Sequence, residues 1–159
     1  MHKAGFVNII GSPNVGKSTL LNAILGQKLV ITNAKAQTTR HRILGMLNTD
    51  DYQLILSDTP GIIQPAYKLQ ESMMDAMQSV FDDADVLVYM VEIGEKKCKN
   101  ESVIKRLSKT DKPLCLVINK IDKGNQSLLE ETIDAWKEQL PNAQIRSISA
   151  LEKFQIKEL

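Results

Sequence analysis

The stretch "GSPNVGKS", Gly11 to Ser18, restricts the folds open to this 159-residue chain more than any other feature. It has the spacing G-x-x-x-x-G-K-[ST] and follows the short apolar run "GFVNII", Gly5 to Ile10. After it, Leu20, Leu21, Ile24 and Leu25 fall on one helical face between Lys17 and Leu25. A buried strand, a glycine-rich turn and a helix are the setting in which this pattern cradles phosphate. Glycines let the backbone curl so that its N–H groups converge, and the helix start adds partial positive charge. The expected cradle is Gly11, Ser12, Pro13, Asn14, Val15, Gly16, Lys17, Ser18 and Thr19. Lys17 is placed to neutralise the β- and γ-phosphates, and Ser18 to ligate Mg²⁺.

The rest of the chain alternates strand and helix signals. "HRILGMLN" and "YQLILSD", joined by "TDD", predict an antiparallel hairpin after the long loop "QKLVITNAKAQTTR". Leu69, Met73, Met77 and Val80 form a helical stripe. "DVLVYMVE" and "PLCLVINK" read as strands, with a helix after Asn100 between them. A further helix is expected to begin at Ser127, whose spacing to Glu130 is that of a capping box, with Leu129, Ile133, Trp136 and Leu140 facing inward. "AQIRSIS" is the last short strand. The methionines and Trp136 read as core, not as a cofactor box. This order predicts an α/β domain with a mostly parallel six-stranded sheet and helices on both faces. Ligands of such sheets sit beyond the carboxyl ends of the strands, where each motif falls.

Asp58 ends "YQLILSD" and opens "DTPG", which runs through Thr59 and Pro60 to Gly61. A carboxylate there can hold Mg²⁺, and the side-chain-free Gly61 lets a backbone N–H approach a terminal phosphate. Thr38 and Thr39 offer a second Mg²⁺ ligand, and Thr39 is the preferred one. Arg40, His41 and Arg42 read as surface anchors of that loop. "NKID", Asn119 to Asp122, follows a strand. The Asp122 carboxylate can accept from guanine N1–H and the 2-amino group, donors that adenine lacks. Lys120 can lie along the base through its alkyl stem, and Asn119 can tie this loop to the phosphate loop. "SAL", Ser149 to Leu151, ends the series with the Ala150 N–H as a candidate partner of the guanine carbonyl.

Together, "GSPNVGKSTLLN", "KAQTTRHRILG", "DTPG", "NKID" and "SALEKF" resemble the Era-type GTPases of the Ras-like P-loop class. "KAQTTRHR" sets that family apart from its neighbours, and the resemblance covers nearly the whole chain. It implies GTP and GDP binding, Mg²⁺ dependence, slow hydrolysis and a role in small-ribosomal-subunit assembly and 16S rRNA maturation. It also implies a cytoplasmic protein with peripheral association at the inner membrane. Family members carry a KH domain with a G-x-x-G loop that binds the rRNA; none of the eight glycines here has another three residues on. The expectation is one GTP-binding domain over residues 1–159, cut where the last helix of the fold would start. Many such switches keep a water-orienting glutamine where Ile62 and Ile63 stand. The resemblance places this chain among GTPases with a hydrophobic residue after "DTPG", and in several of these an asparagine in the phosphate loop helps to hold K⁺, a position that Asn14 occupies. Lys17, Thr39, Gly61 and Asn14 are thus the expected catalytic set.

Composition fits this reading. The chain is 43% hydrophobic with a formal net charge of +1, so its overall field does not call for nucleic acid or anionic lipid. Cys98 and Cys115 make no metal or redox pattern, and Cys115 reads as a buried strand residue. No signal peptide is expected, and the longest apolar run, "VLVYMV", is too short to span a bilayer. "NKID" argues against an ATPase or kinase. The competing expectation is a guanine-nucleotide-binding module that signals by occupancy with little turnover. The lysines from Lys96 to Lys112 read as a solvated helix face in preference to an RNA patch.

Overall fold

The computed structural model describes residues 3–26, 43–59 and 78–159. Within them the chain builds β1 (Lys3–Gly11), α1 (Lys17–Leu25), β2 (Ile43–Asn48), β3 (Tyr52–Asp58), helical turns at 78–83, and β4 (Val86–Glu92). It continues with α2 (Glu101–Lys109), β5 (Leu114–Asn119), a 3₁₀ turn (Ile121–Lys123), α3 (Gln126–Gln139) and β6 (Gln144–Ser147). One sheet in the order β2-β3-β1-β4-β5-β6 holds all six strands. The β2–β3 pair is antiparallel and every other pair is parallel. The expected α/β architecture, hairpin and strand count therefore hold.

Successive side chains of a strand point to opposite faces, and here both faces are covered. Ile10, Leu87, Tyr89, Val91, Leu116 and Ile118 point toward the turns at 78–83, α2 and α3. There they meet Val80, Phe81, Val103, Leu107 and Trp136. Ile9, Val88, Met90 and Val117 point the other way and pack with Leu20 of α1. The near-continuous apolar runs of β4 and β5 are thus two interleaved faces rather than one. Cys115 departs from its expected burial: it is half-buried on the α1 side, and desolvation still raises its thiol pKa. Among the described residues no helix is long and apolar enough to cross a membrane.

The helix starts explain themselves locally. Asn100 caps α2 by accepting from the amides of Ser102 and Val103. The start of α3 corrects the capping-box expectation. Asn125, not Ser127, is the cap and accepts from Leu128 N at 2.8 Å. Glu130 instead accepts from the Gln126 side chain at 2.9 Å. An asparagine in extended backbone satisfies the same orphan amides two residues earlier. Of the stripe Leu69, Met73, Met77 and Val80, only Val80 lies within the described residues, where it is fully buried.

Trp136 anchors α3. It is fully buried, meets Tyr89 edge-on with centroids 5.4 Å apart, and donates its indole N–H to the Glu95 carbonyl at 2.6 Å. Trp136→Ala should cost about 3–5 kcal/mol through the cavity and the lost bond. Urea denaturation should show this as a lower midpoint at unchanged slope.

Candidate functional site

β1, β3, β4, β5 and β6 run in one direction, so Gly11, Asp58, Glu92, Asn119 and Ser147 all reach the same edge of the sheet. The loops leaving that edge carry the motifs.

The phosphate-loop segment turns sharply between β1 and α1. Gly11 is required because a Cβ there would overlap the Met90 carbonyl on β4. Gly16 is required twice. Its φ of +104° lies in the left-handed region, and a Cβ would overlap the Asn119 side-chain amide. Asn14 also takes a left-handed conformation, with φ 64° and its side chain exposed. Val15 turns inward into the core. No side chain caps α1 and no acid stands in its first turn, whereas α2 and α3 are both capped by asparagines. The positive end of α1 is thus left to whatever lies beyond it.

Lys17 is buried and folds back on the loop, donating to the carbonyls of Gly11 at 3.1 Å and Ser12 at 2.8 Å. Burial lowers its pKa to about 8, against the pull of the Asp58 and Glu95 carboxylates. Ser18 Oγ donates to Asp58 Oδ2 at 2.5 Å. A hydroxyl and a carboxylate thus meet from α1 and β3. Two hard oxygen donors beside a phosphate cradle fit Mg²⁺, which takes one or two protein ligands and completes its shell with phosphate and water. Thr19 is half-buried in the first turn of α1, and Pro13 half-buried on the loop. The Thr59 hydroxyl is buried and donates to the Ile9 carbonyl at 2.7 Å, which ties the start of "DTPG" to β1. Thr38, Thr39, Arg40, His41, Arg42, Pro60, Gly61, Ile62 and Ile63 lie outside the described residues.

Asn119 joins three loops. Its Nδ2 donates to Val15 O at 2.8 Å, and its Oδ1 accepts from Ala150 N at 2.9 Å. That second bond places the Ala150 amide beside the base-reading loop, where its N–H is held by Asn119. Lys120, at φ 61°, donates to Asn14 O and to Glu92 Oε2, each at 2.6 Å. Asp122 Oδ1 accepts from Ser149 Oγ at 2.6 Å. Leu151 is exposed beside them.

Ser149, expected in this loop, orients the Asp122 carboxylate through its side chain. Two groups here were not singled out in the sequence. Glu92 and Glu95, at the end of β4, brace the two loops: Glu92 pairs with Lys120, and Glu95 Oε1 accepts from Ser12 Oγ at 3.0 Å. Burial raises the Glu95 pKa most, with hydrogen bonds from the Glu92 backbone and Ser12 opposing. The signal lay in "VEIGE", two acids at the end of a strand whose parallel neighbours carry motifs.

A glycine-rich loop joined by one asparagine to an N-K-x-D loop is a guanine-nucleotide arrangement, and comparison agrees. The 50S ribosome-binding GTPase family matches residues 6–120. The chain belongs to that family. Similar curated proteins are GTPase Era of Thermoanaerobacter sp. strain X514, 46% identical over 98% of this chain and 52% of its own length, and GTPase Era of Clostridium novyi strain NT, 46% identical over 94% and 51%. A crystal structure of Era with MgGDPNP and 16S ribosomal RNA superposes at TM-score 0.92 with 39% identity, covering 99% of this chain and 55% of that one. The Methanococcus jannaschii FeoB G domain shares the fold alone, at TM-score 0.72 and 24% identity over 98% of this chain and 92% of its own. The Era-type resemblance thus holds over this G domain. The chain spans about half the length of the curated relatives it matches.

Ser149→Ala should loosen Asp122 in this GTPase-family site. A hydrogen bond to a charged group is worth about 1.5–3 kcal/mol, less where solvent reaches it. Labelled-GDP titration should show about fivefold weaker binding, with adenine nucleotides unaffected.

Proposed function

We propose that this chain is a GTP-binding and GTP-hydrolysing switch that acts in small-ribosomal-subunit assembly and 16S rRNA maturation. The observation that carries the reading is the double bond of Asn119 to Val15 O and Ala150 N. It ties the phosphate loop, the base-reading loop and the last loop together at one edge of the sheet, which supports one nucleotide site there. The Era relatives and the Era complex with 16S rRNA support the ribosomal part.

In this reading the uncapped start of α1 and Lys17 receive the β- and γ-phosphates. Lys17 trades the carbonyls of Gly11 and Ser12 for phosphate oxygens, and the ammonium is held charged by that exchange. Ser18 and Asp58 hold Mg²⁺, which offsets charge on the transferred phosphoryl group. Asp122, oriented by Ser149, accepts from guanine N1–H and the 2-amino group. Thr39 and Gly61 are assigned to the second Mg²⁺ ligand and the γ-phosphate contact. Asn14 is exposed, and its side chain makes no hydrogen bond among the described residues, so its amide oxygen can ligate K⁺. A monovalent cation there would offset developing negative charge as an arginine finger does. The rRNA contact is assigned to the part of the family's length beyond this chain. A cytoplasmic location goes with the reading, and no feature of the fold calls for the peripheral membrane association expected above.

Two measurements test the reading. Single-turnover GTP hydrolysis with Mg²⁺ should run faster in KCl than in NaCl at equal ionic strength. Equal rates would remove K⁺ from Asn14, and bound GTP that persists in both salts would leave a binding module. Asp122→Asn should replace an acceptor with a donor. It should weaken guanine nucleotides by roughly tenfold or more and favour xanthine nucleotides, whose C2 carbonyl accepts. Unchanged guanine preference by competition would remove Asp122 from the base site.

A further inference from the structure

Away from the nucleotide edge, the helical turns at 78–83 and α2 enclose a groove of about 370 Å³ lined by Phe81, Lys105, Arg106, Lys109 and Thr110. Three cations line it, and one of them meets the aromatic ring. The Arg106 guanidinium lies over the Phe81 ring, 4.3 Å from its centroid, and is held in that pose by Gln78 and by Asp82 at 3.3 Å. Lys105 and Lys109 sit four residues apart, on the same side of α2. Both are exposed, and neither ammonium has an ion-pair partner among the described residues. Lys112 stands at the rim, donating to the carbonyls of Phe81 and Asp82 at 2.7 and 2.8 Å.

The exposed lysines agree with the solvated face that the charge pattern suggests, and the groove adds a braced arginine to it. Elsewhere on the basic segment a lysine meets an acid: Lys96 pairs with Glu131 at 2.6 Å. At the groove Asp82 pairs with Arg106, and neither lysine has an ion-pair partner among the described residues. Cations at a helix C-terminus offset its dipole. That role leaves unexplained a guanidinium held over a ring and braced by two side chains.

We propose that this groove binds single-stranded RNA, with Lys105 and Lys109 on successive phosphates and a base against the Arg106 plane. Single-stranded RNA is recognised by stacking on aromatic rings or arginine planes beside basic side chains, and the groove sets Arg106 beside two exposed lysines. An acidic protein segment would use the lysines but has no base to lay on the Arg106 plane. The proposal goes beyond the nucleotide-switch reading and does not depend on it, because none of these residues reaches the nucleotide edge. It gives the G domain an RNA contact of its own.

The test is fluorescence anisotropy of the 159-residue chain with a labelled single-stranded RNA of about ten nucleotides, a length that such grooves cover. Binding should be saturable near 50 mM salt, with a slope of log K against log salt of about −1.4 for two phosphate contacts. The double variant Lys105→Glu, Lys109→Glu should lose about tenfold in RNA affinity or more, while GDP affinity and the urea midpoint stay unchanged. Arg106→Lys keeps the charge but not the plane, and should weaken single-stranded RNA while leaving the salt slope in place. Equal RNA binding by the parent and the double variant would overturn the proposal, as would no binding by the parent at low salt. A polyglutamate peptide that competes as well as unlabelled RNA would also overturn it, assigning the face to an acidic protein.

Discussion

The site depends on one amide side chain. Asn119 sits at the end of β5 and holds two loops that are distant in sequence, Val15 on one side and Ala150 on the other. It is nearly fully buried, so each bond forms where water competes little and a missing partner would be costly. Gly16 is the other half of this constraint. A side chain there would overlap the Asn119 amide. The glycine of the phosphate loop and the asparagine of the base-reading loop therefore require each other, although they lie on separate elements.

Around that bond the end of β4 acts as a brace. Glu92 Oε2 pairs with Lys120, whose ammonium also holds Asn14 O. Glu95 accepts from Ser12 with its carboxylate and from Trp136 with its carbonyl. Gly94 N donates to Thr132 Oγ1 on α3 at 3.0 Å. Loop positions near the phosphates are thus tied through β4 to the most buried residue of α3. Packing in the helical layer and geometry at the nucleotide edge are coupled by named bonds, and a change at Trp136 would be felt at Ser12.

Much of this was legible in the sequence because the periodicities were clean. The α1 and β3 boundaries coincide with the apolar patterns that suggested them. The order of the motifs placed them on one sheet edge before any coordinate was known. One misreading arose where two local solutions compete. Asn125 and Ser127 both suit a helix cap, and backbone conformation chose the asparagine.

The sequence by itself determined the fold class, the order of strands and helices, and the residue types at the phosphate and base-reading loops. Those are local matters, set by spacing, by glycine at strained positions and by the two periods of strand and helix. Only the tertiary structure decided the partners: Asn119 with Val15, Ser149 with Asp122, Glu95 with Ser12, Arg106 with Phe81. Each joins residues more than twenty positions apart. Such pairs exist only once the parallel sheet has brought its strand ends together, and no pattern along the chain encodes the distance between them.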